Sequence, residues 1–171
     1  MFKKFCVALV AAMATITPVG AEVQPGTTSL LETISSNGIL VTINHDDCLT
    51  NGSNGQYRWL GFQREMRLCP GRTVDADDHN TVRHETIHAI QHCVNAARGT
   101  STDAPIINNP NDFANFVMAN LTQEDIEWVK SMYDESQWLT ELEAFAGANA
   151  YTSSELEKLF LDACTLQETA G

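Results

Sequence analysis

The sequence predicts an α+β domain: a small N-terminal antiparallel hairpin or sheet, then a long helix, then three or four further helices. Extended, apolar segments at 39–43 and 57–68 flank a turn-forming run, whereas after residue 75 apolar residues recur at helical spacing between capping signals. Strands followed by helices are typical of the α+β class. A length of 171 residues and a hydrophobic content of 43% suit one domain.

The first segments are predicted from their local chemistry. Residues 22–36 contain Pro25-Gly26 and many Ser and Thr, so they predict an extended lead-in with at most one helical turn. Ile39–Ile43 is β-branched and predicts a strand, and the run Asn-Gly-Ser-Asn-Gly at 51–55 predicts a turn. Residues 57–68 then form a second extended segment, which gives a hairpin or a small antiparallel sheet.

The long helix is predicted over about residues 77–97. Asp75 supplies an N-cap, Asp77 and Asp78 supply first-turn acids, and Gly99 ends the helix. One face carries the apolar stripe that we expect to be buried, made of Val82, Thr86, Ala89, Ile90, Cys93 and Ala97.

The remainder of the chain predicts helices, over 113–119, 122–133, 137–150 and 154–166. Two of them open on a Ser or Thr that is followed three residues later by an acid, the pattern of a capping box. These pairs are Thr122 with Asp125, and Ser154 with Glu157.

Residues 1–21 resemble a signal peptide. Lys3 and Lys4 precede an apolar stretch, and the small residues of Val19-Gly20-Ala21 predict cleavage after Ala21. The mature protein is then a single domain, 22–171, without a membrane span, and is secreted or periplasmic. The exported compartments are oxidising, so the four remaining cysteines predict two disulfides.

The charge balance excludes some partners. The chain carries 10 basic and 22 acidic side chains, a formal charge of −12. Nucleic acids and anionic membranes are bound through Lys and Arg, so we expect neither as a partner. The oligomeric state is left open by the sequence.

The chemistry of the chain is concentrated in His84-Glu85-Thr86-Ile87-His88, an HExxH motif on the predicted long helix. Residues four apart share a helix face, so two imidazoles can converge on one zinc ion and leave a position open for water. Glu85 lies beside that position and can act as the general base. Both histidines lie away from the apolar stripe.

A third ligand must come from elsewhere in the chain. The metzincin pattern would need Gly and His where this chain has Gln91 and Val94, so that class is excluded. His92 lies about 12 Å along the axis from His84 and cannot complete the same tetrahedron. A downstream carboxylate remains, and Glu141 and Glu143 both stand among small residues that would let two helices approach closely. Residue spacing alone does not choose between them.

HExxH followed by Glu141-x-x-Ala144 resembles the gluzincin metallopeptidases. Together with 66–69 and Cys93, these motifs are also similar to the family of mitochondrial inner-membrane processing metallopeptidases that assist ATP-synthase assembly, over about half of the mature chain. The chain departs from that family in its signal peptide and its alanine-rich ligand helix. The resemblance implies one zinc ion on His84, His88 and Glu141, with Glu85 as catalytic base.

The expected function is therefore hydrolysis of peptide bonds in a peptide or protein substrate by an exported zinc metallopeptidase. The alternatives are a zinc amidase that acts on a non-protein amide, and a non-catalytic metal-binding or interaction protein. The strand that ends at 66–69 is the expected edge for an extended substrate. Tyr133 and Tyr151 flank the ligand helix but are not assigned to the site.

The disulfide pairing follows from the expected path of the chain. If the long helix runs antiparallel to the preceding strand, Cys93 lies near the hairpin turn and close to Cys48. This favours Cys48–Cys93 and Cys69–Cys164, one of the three possible pairings.

Overall fold

The computed structural model describes residues 25–43, 54–61, 63–69 and 76–165. The predicted signal peptide and Cys48 lie outside these residues. The described chain is an α+β domain, as predicted, with the elements in the order α1 Pro25–Ser36, β1 Ile39–Ile43, β2 Gly55–Trp59, β3 Arg64–Leu68, α2 Ala76–Arg98, α3 Pro110–Asn120, α4 Gln123–Met132, α5 Trp138–Ala150 and α6 Ser153–Cys164.

The sheet has three strands in the order β1-β3-β2 and is mixed, whereas the sequence predicted an antiparallel one. β2 and β3 are an antiparallel hairpin, with Tyr57 opposite Met66. The predicted single segment 57–68 is therefore two strands, and between them Gly61 adopts φ +78°, a conformation that favours glycine. β1 pairs with β3 in parallel. β3 is consequently the central strand, and the prediction that it is the edge strand for substrate is wrong.

The lead-in was predicted to be extended but is a twelve-residue helix, α1. Leu30 and Ile34 lie one turn apart and are completely buried. The Ser and Thr residues that suggested a loop face α6 instead: Ser29 and Thr33 both donate hydrogen bonds to the Glu157 carboxylate, the shortest at 2.7 Å. Their hydroxyls are satisfied by a residue more than 120 positions away, which local sequence cannot reveal.

The later helices agree with the sequence to within a few residues. The capping box of Thr122 and Asp125 is present at the start of α4. The second box is shifted by two positions: Thr152 and Glu155 cap α6, not Ser154 and Glu157. Glu157 instead accepts hydrogen bonds from α1, so its side chain points towards that helix and not into solvent.

The helix α2 is enclosed by the rest of the domain. Its predicted stripe is buried except for Ala97, but so are several polar residues on its other faces. α1, α6 and the sheet cover one side of α2, and α5 covers another, where Ile87 meets Gly147. A second apolar cluster joins α3, α4 and α5 around Val117, Val129 and Leu142.

The disulfide pairing predicted from the sequence is wrong. Cys93 is bonded to Cys164, with the two Cα atoms 5.1 Å apart and a sequence separation of 71. Cys93 lies on the buried stripe of α2, which faces α6 rather than the hairpin turn, and the Cys164 sulfur also contacts the Ala89 carbonyl oxygen. Cys69 is disulfide-bonded as well. Within the described residues, none of the helices combines the length and the apolar character that crossing a bilayer requires.

Candidate metal centre

Two helices bring three predicted ligands together. His84 and His88 project from α2, and Glu141 projects from the first turn of α5. The Glu141 Oε2 atom lies 3.3 Å from His84 Nε2 and 3.5 Å from His88 Nε2, and the two Nε2 atoms are 3.0 Å apart. At most 15% of any of these side chains is exposed. The three residues form a group that could hold a metal ion.

The spacing of these atoms suits a small, tetrahedrally coordinated cation. Zinc binds imidazole nitrogen at about 2.0–2.1 Å, so the corners of its coordination tetrahedron lie about 3.3–3.4 Å apart. The three separations in the protein are within a few tenths of an ångström of that value. The donor set of two imidazoles and one carboxylate is one that zinc accepts. The residues therefore fit the ion that the motif predicts.

Gln91 sets the orientation of one ligand. Its Oε1 lies 2.8 Å from His88 Nδ1. Its Nε2 donates to the Thr140 carbonyl oxygen at 3.1 Å and to Glu143 Oε2 at 2.8 Å, and since both of these are acceptors, the amide orientation is determined. His88 must then donate through Nδ1–H, so its Nε2 turns towards His84 and Glu141. Metal-binding histidines are commonly held through the second nitrogen in this way.

Glu143 has a different role from Glu141. Residue spacing alone did not decide which of the two acids joins the histidines. It is buried, and besides Gln91 it accepts hydrogen bonds from the main-chain N–H groups of Ile106 at 2.8 Å and Ile107 at 2.9 Å. Its oxygens are therefore occupied by N–H donors and do not join the ligand group. Two residues along a helix is a rotation of about 200°, so only one of the two acids can face the histidines.

Glu85 lies beside the ligand group, where β2 passes close to α2. A Cβ on Gly55 would lie 2.8 Å from Glu85 Oε1, so glycine is what lets the strand approach the carboxylate. Burial raises the pKa of Glu85, while His84, His88 and the hydrogen bond from the main-chain N–H of Tyr57 act in the opposite direction. Glu85 Oε2 is buried and has no hydrogen-bond partner in the described part of the chain. Such an atom is an available proton acceptor.

The charges within the ligand group reinforce one another. Although burial opposes it, hydrogen bonding and attraction to His84 and His88 lower the pKa of Glu141 to about 2. Burial likewise opposes a charge on His88, but Glu141 and Glu85 raise its pKa to about 9. In the absence of a metal ion, the site therefore holds a proton on His88 as its counter-charge.

A cleft of about 460 Å³ opens onto His88 and Glu141. One wall is aromatic: His92 is stacked on Trp59 with ring centroids 4.3 Å apart and meets Tyr57 edge to face. This is the role of His92, which lies outside the ligand group. The rest of the lining is a polar wall made of Ser101, Thr102, Asp103, Ser136, Gln137 and Thr140, together with Gln91. The strand beside the cleft is β2, an edge strand, and not β3.

The two tyrosines that flank α5 lie in different surroundings, one near the ligand group and one away from it. Burial raises the pKa of Tyr133, as do the charges of Glu141 and Glu85 and a hydrogen bond with Glu141, so its hydroxyl stays protonated beside the ligand group. Tyr151 faces away from the site: it lines a separate apolar cavity and stacks on Phe116. The sequence named Tyr133 without assigning it to the site, and it missed the contribution of Gln91. The spacing of Gln91, three residues after His88 and thus on the same helix face, was the available signal.

The class of site is thus defined by its geometry: two imidazoles one turn apart and a carboxylate from a second helix, able to hold a metal ion at an open cleft. Comparison with family models, curated proteins and solved structures finds no match for the chain.

Proposed function

We propose that the protein is an exported zinc metallopeptidase, with zinc on His84, His88 and Glu141 and with Glu85 as the general base. The observation that carries the proposal is a buried carboxylate, with one oxygen that has no hydrogen-bond partner among the described residues, next to three side chains that could hold a metal ion at an open cleft. A structural zinc site would need four protein ligands and no adjacent base. The signal-like residues 1–21 and the Cys93–Cys164 disulfide support export.

The proposed chemistry divides between the ion and the chain. When bound, zinc supplies Lewis acidity, which lowers the pKa of a water molecule and polarises the scissile carbonyl. Glu85 would accept a proton from the attacking water as the water oxygen bonds to the carbonyl carbon, and would deliver it to the amide nitrogen as the C–N bond breaks. Tyr133, whose hydroxyl burial and the charges of Glu141 and Glu85 keep protonated, is the candidate donor of a hydrogen bond to the developing negative charge. Because β2 borders the cleft at Tyr57 and Trp59, an extended peptide would lie along this strand.

The deciding experiment is Glu85→Gln in the zinc-loaded protein. We expect the variant to bind one zinc ion per chain and to lose about 100-fold or more of its activity on an unfolded protein substrate, the usual contribution of a general base. Glu127→Gln, which changes an exposed acid on α4, is the matched control and should leave the activity unaltered.

A substrate panel separates the alternatives. Hydrolysis of cell-wall peptide bridges but not of unfolded protein would favour the zinc amidase. If the wild-type protein binds zinc and hydrolyses neither, it is a non-catalytic metal-binding protein and the proposal is wrong.

A further inference from the structure

We propose that Glu143 is a positioning residue that couples one wall of the cleft to the orientation of the metal ligand His88, through Gln91. The inference rests on the proposed metal site and does not depend on peptidase activity. It follows from three connected sets of hydrogen bonds, in α5, in α2 and in the segment 101–107.

The first set joins two separate parts of the chain at one carboxylate. Glu143 Oε2 accepts from Gln91 Nε2 on α2 and from the Ile106 main-chain N–H, both at 2.8 Å, and Oε1 accepts from the Ile107 main-chain N–H at 2.9 Å. Three N–H donors on two oxygens demand a side chain that only accepts. Glutamine in this place would present its own NH₂ group to one of the donors.

The second set carries the orientation to the ligand. Gln91 donates through Nε2 to Glu143 and to the Thr140 carbonyl oxygen, which leaves Oε1 facing His88 Nδ1. If the amide turned over, its oxygen would face two acceptors and its NH₂ group would face the imidazole. Glu143 therefore keeps the His88 Nε2 atom directed at the site.

The third set ties the cleft wall to the same carboxylate. Ser101, Thr102 and Asp103 line the cleft, and two residues separate them from the amides of Ile106 and Ile107 that Glu143 holds. Asp103 and Ala104 are secured through their carbonyl oxygens, by Thr140 Oγ1 at 2.8 Å and by Asn95 Nδ2 at 2.6 Å. Thr140 and Glu143 lie on α5, the helix that supplies Glu141. The cleft wall at 101–107 and the ligand His88 are thus both held by Glu143, so a change in the position of either is transmitted to the other.

The test compares two variants by two measurements. The zinc dissociation constant is measured by competition with a fluorescent chelator, and the exchange of the Ile106 and Ile107 amide hydrogens is followed with and without zinc. For Glu143→Gln we expect about 10- to 100-fold weaker zinc binding, the usual effect of losing a group that orients a ligand. Both amides should also exchange faster.

The Gln91→Met variant distinguishes coupling between the cleft wall and His88 from local support of the wall by Glu143. Glu143 still holds both amides in this variant, so their exchange in the metal-free protein should match the wild type while zinc binding is weakened. In the wild type, zinc should slow exchange at Ile106 and Ile107, and Gln91→Met should abolish that response.

Glu157→Gln is the matched control, because Glu157 is also a carboxylate that joins two helices but lies on α6, away from the site. It should lower the thermal stability and leave the zinc affinity unchanged. The proposal is overturned if Glu143→Gln binds zinc as the wild type does, if it weakens zinc binding no more than Glu157→Gln does, or if zinc still slows exchange in Gln91→Met. A wild-type protein that binds no zinc would overturn the proposed function and this inference together. A protein that binds zinc but hydrolyses nothing would overturn the function alone.

Discussion

Replacing Gly147 with alanine tests how closely α5 must approach α2 for Glu141 to reach the histidines. The added Cβ would lie 2.8 Å from Ile87 Cδ1 and 3.0 Å from Ile87 Cγ1. Carbon atoms in contact prefer about 3.5–4.0 Å, so the helices must separate, or Ile87 must repack, by about 0.7 Å or more. Ligand distances tolerate only about 0.2 Å, so we expect weaker zinc binding.

The expected cost in stability is modest. Overpacking a core lowers the free energy of unfolding by about 1–3 kcal/mol, whereas replacing a helical glycine with alanine raises it by up to about 1 kcal/mol. The net loss of about 1 kcal/mol corresponds to a melting temperature lower by about 2–4 °C in a domain of this size. Thermal unfolding and chelator competition measure the two quantities separately.

The controls come from the same chain. Gly26→Ala also places an alanine in a helix, but its Cβ would meet Ser153 at an ordinary 3.7 Å, so neither zinc binding nor stability should fall. Ile87→Val removes the Cδ1 atom that makes the closest contact, and added to Gly147→Ala it should restore part of the zinc affinity. If Gly147→Ala binds zinc and melts as Gly26→Ala does, the close approach of α5 does not set the ligand geometry.

Other expectations follow from the charges and cross-links of the site. Below pH 9, zinc must displace the proton held by His88, so affinity should rise about tenfold per pH unit up to about pH 9; a flat pH profile in isothermal titration would contradict this. In the metal-free protein, the raised pKa of His88 contributes stability that is fully present below pH 6.5 and is lost as the pH rises through 9. The lowered pKa of Glu141 contributes stability that is fully present above pH 4.5 and is lost as the pH falls towards 2. Chemical unfolding across this range should show both slopes. Replacing Cys93 and Cys164 together by alanine should lower the free energy of unfolding by about 4 kcal/mol, because the disulfide closes a loop of 71 residues, and a loss below about 1 kcal/mol would count against this value. Zinc at 100 times its dissociation constant should stabilise the protein by about 2.7 kcal/mol, and a chelator should reverse the resulting thermal shift.

The sequence predicts the elements whose signals are local. The spacing of His84 and His88 places them on one helix face, and Thr122 with Asp125 marks the start of α4, as the structure bears out. The lead-in was misread because Ser29 and Thr33, which suggest a loop locally, find their partner on α6. Whether such a segment forms a helix or a loop depends on contacts with distant parts of the chain.

The same limit applies to the site. That α5 supplies an acid could be predicted, but which acid depends on the rotation of α5 relative to α2. That rotation depends on how the two helices pack, including the close approach of Gly147 to Ile87. The parallel pairing of β1 with β3, and hence the identity of the edge strand, likewise depends on contacts across the domain. Cys93 was paired incorrectly because the face of α2 that carries it turns towards α6.

The enclosure of α2 bears on how the protein is assembled in the cell. Glu85 and Glu141 are both buried beside the two histidines, and a chain that folds before it meets an ion relies on the proton of His88 as their counter-charge. A divalent cation bound there would take the place of that proton and, by favouring the folded form, would make the amount of folded protein depend on the supply of metal. Scarcity of the ion would then reduce the folded population itself, in addition to any activity that the proposed site carries.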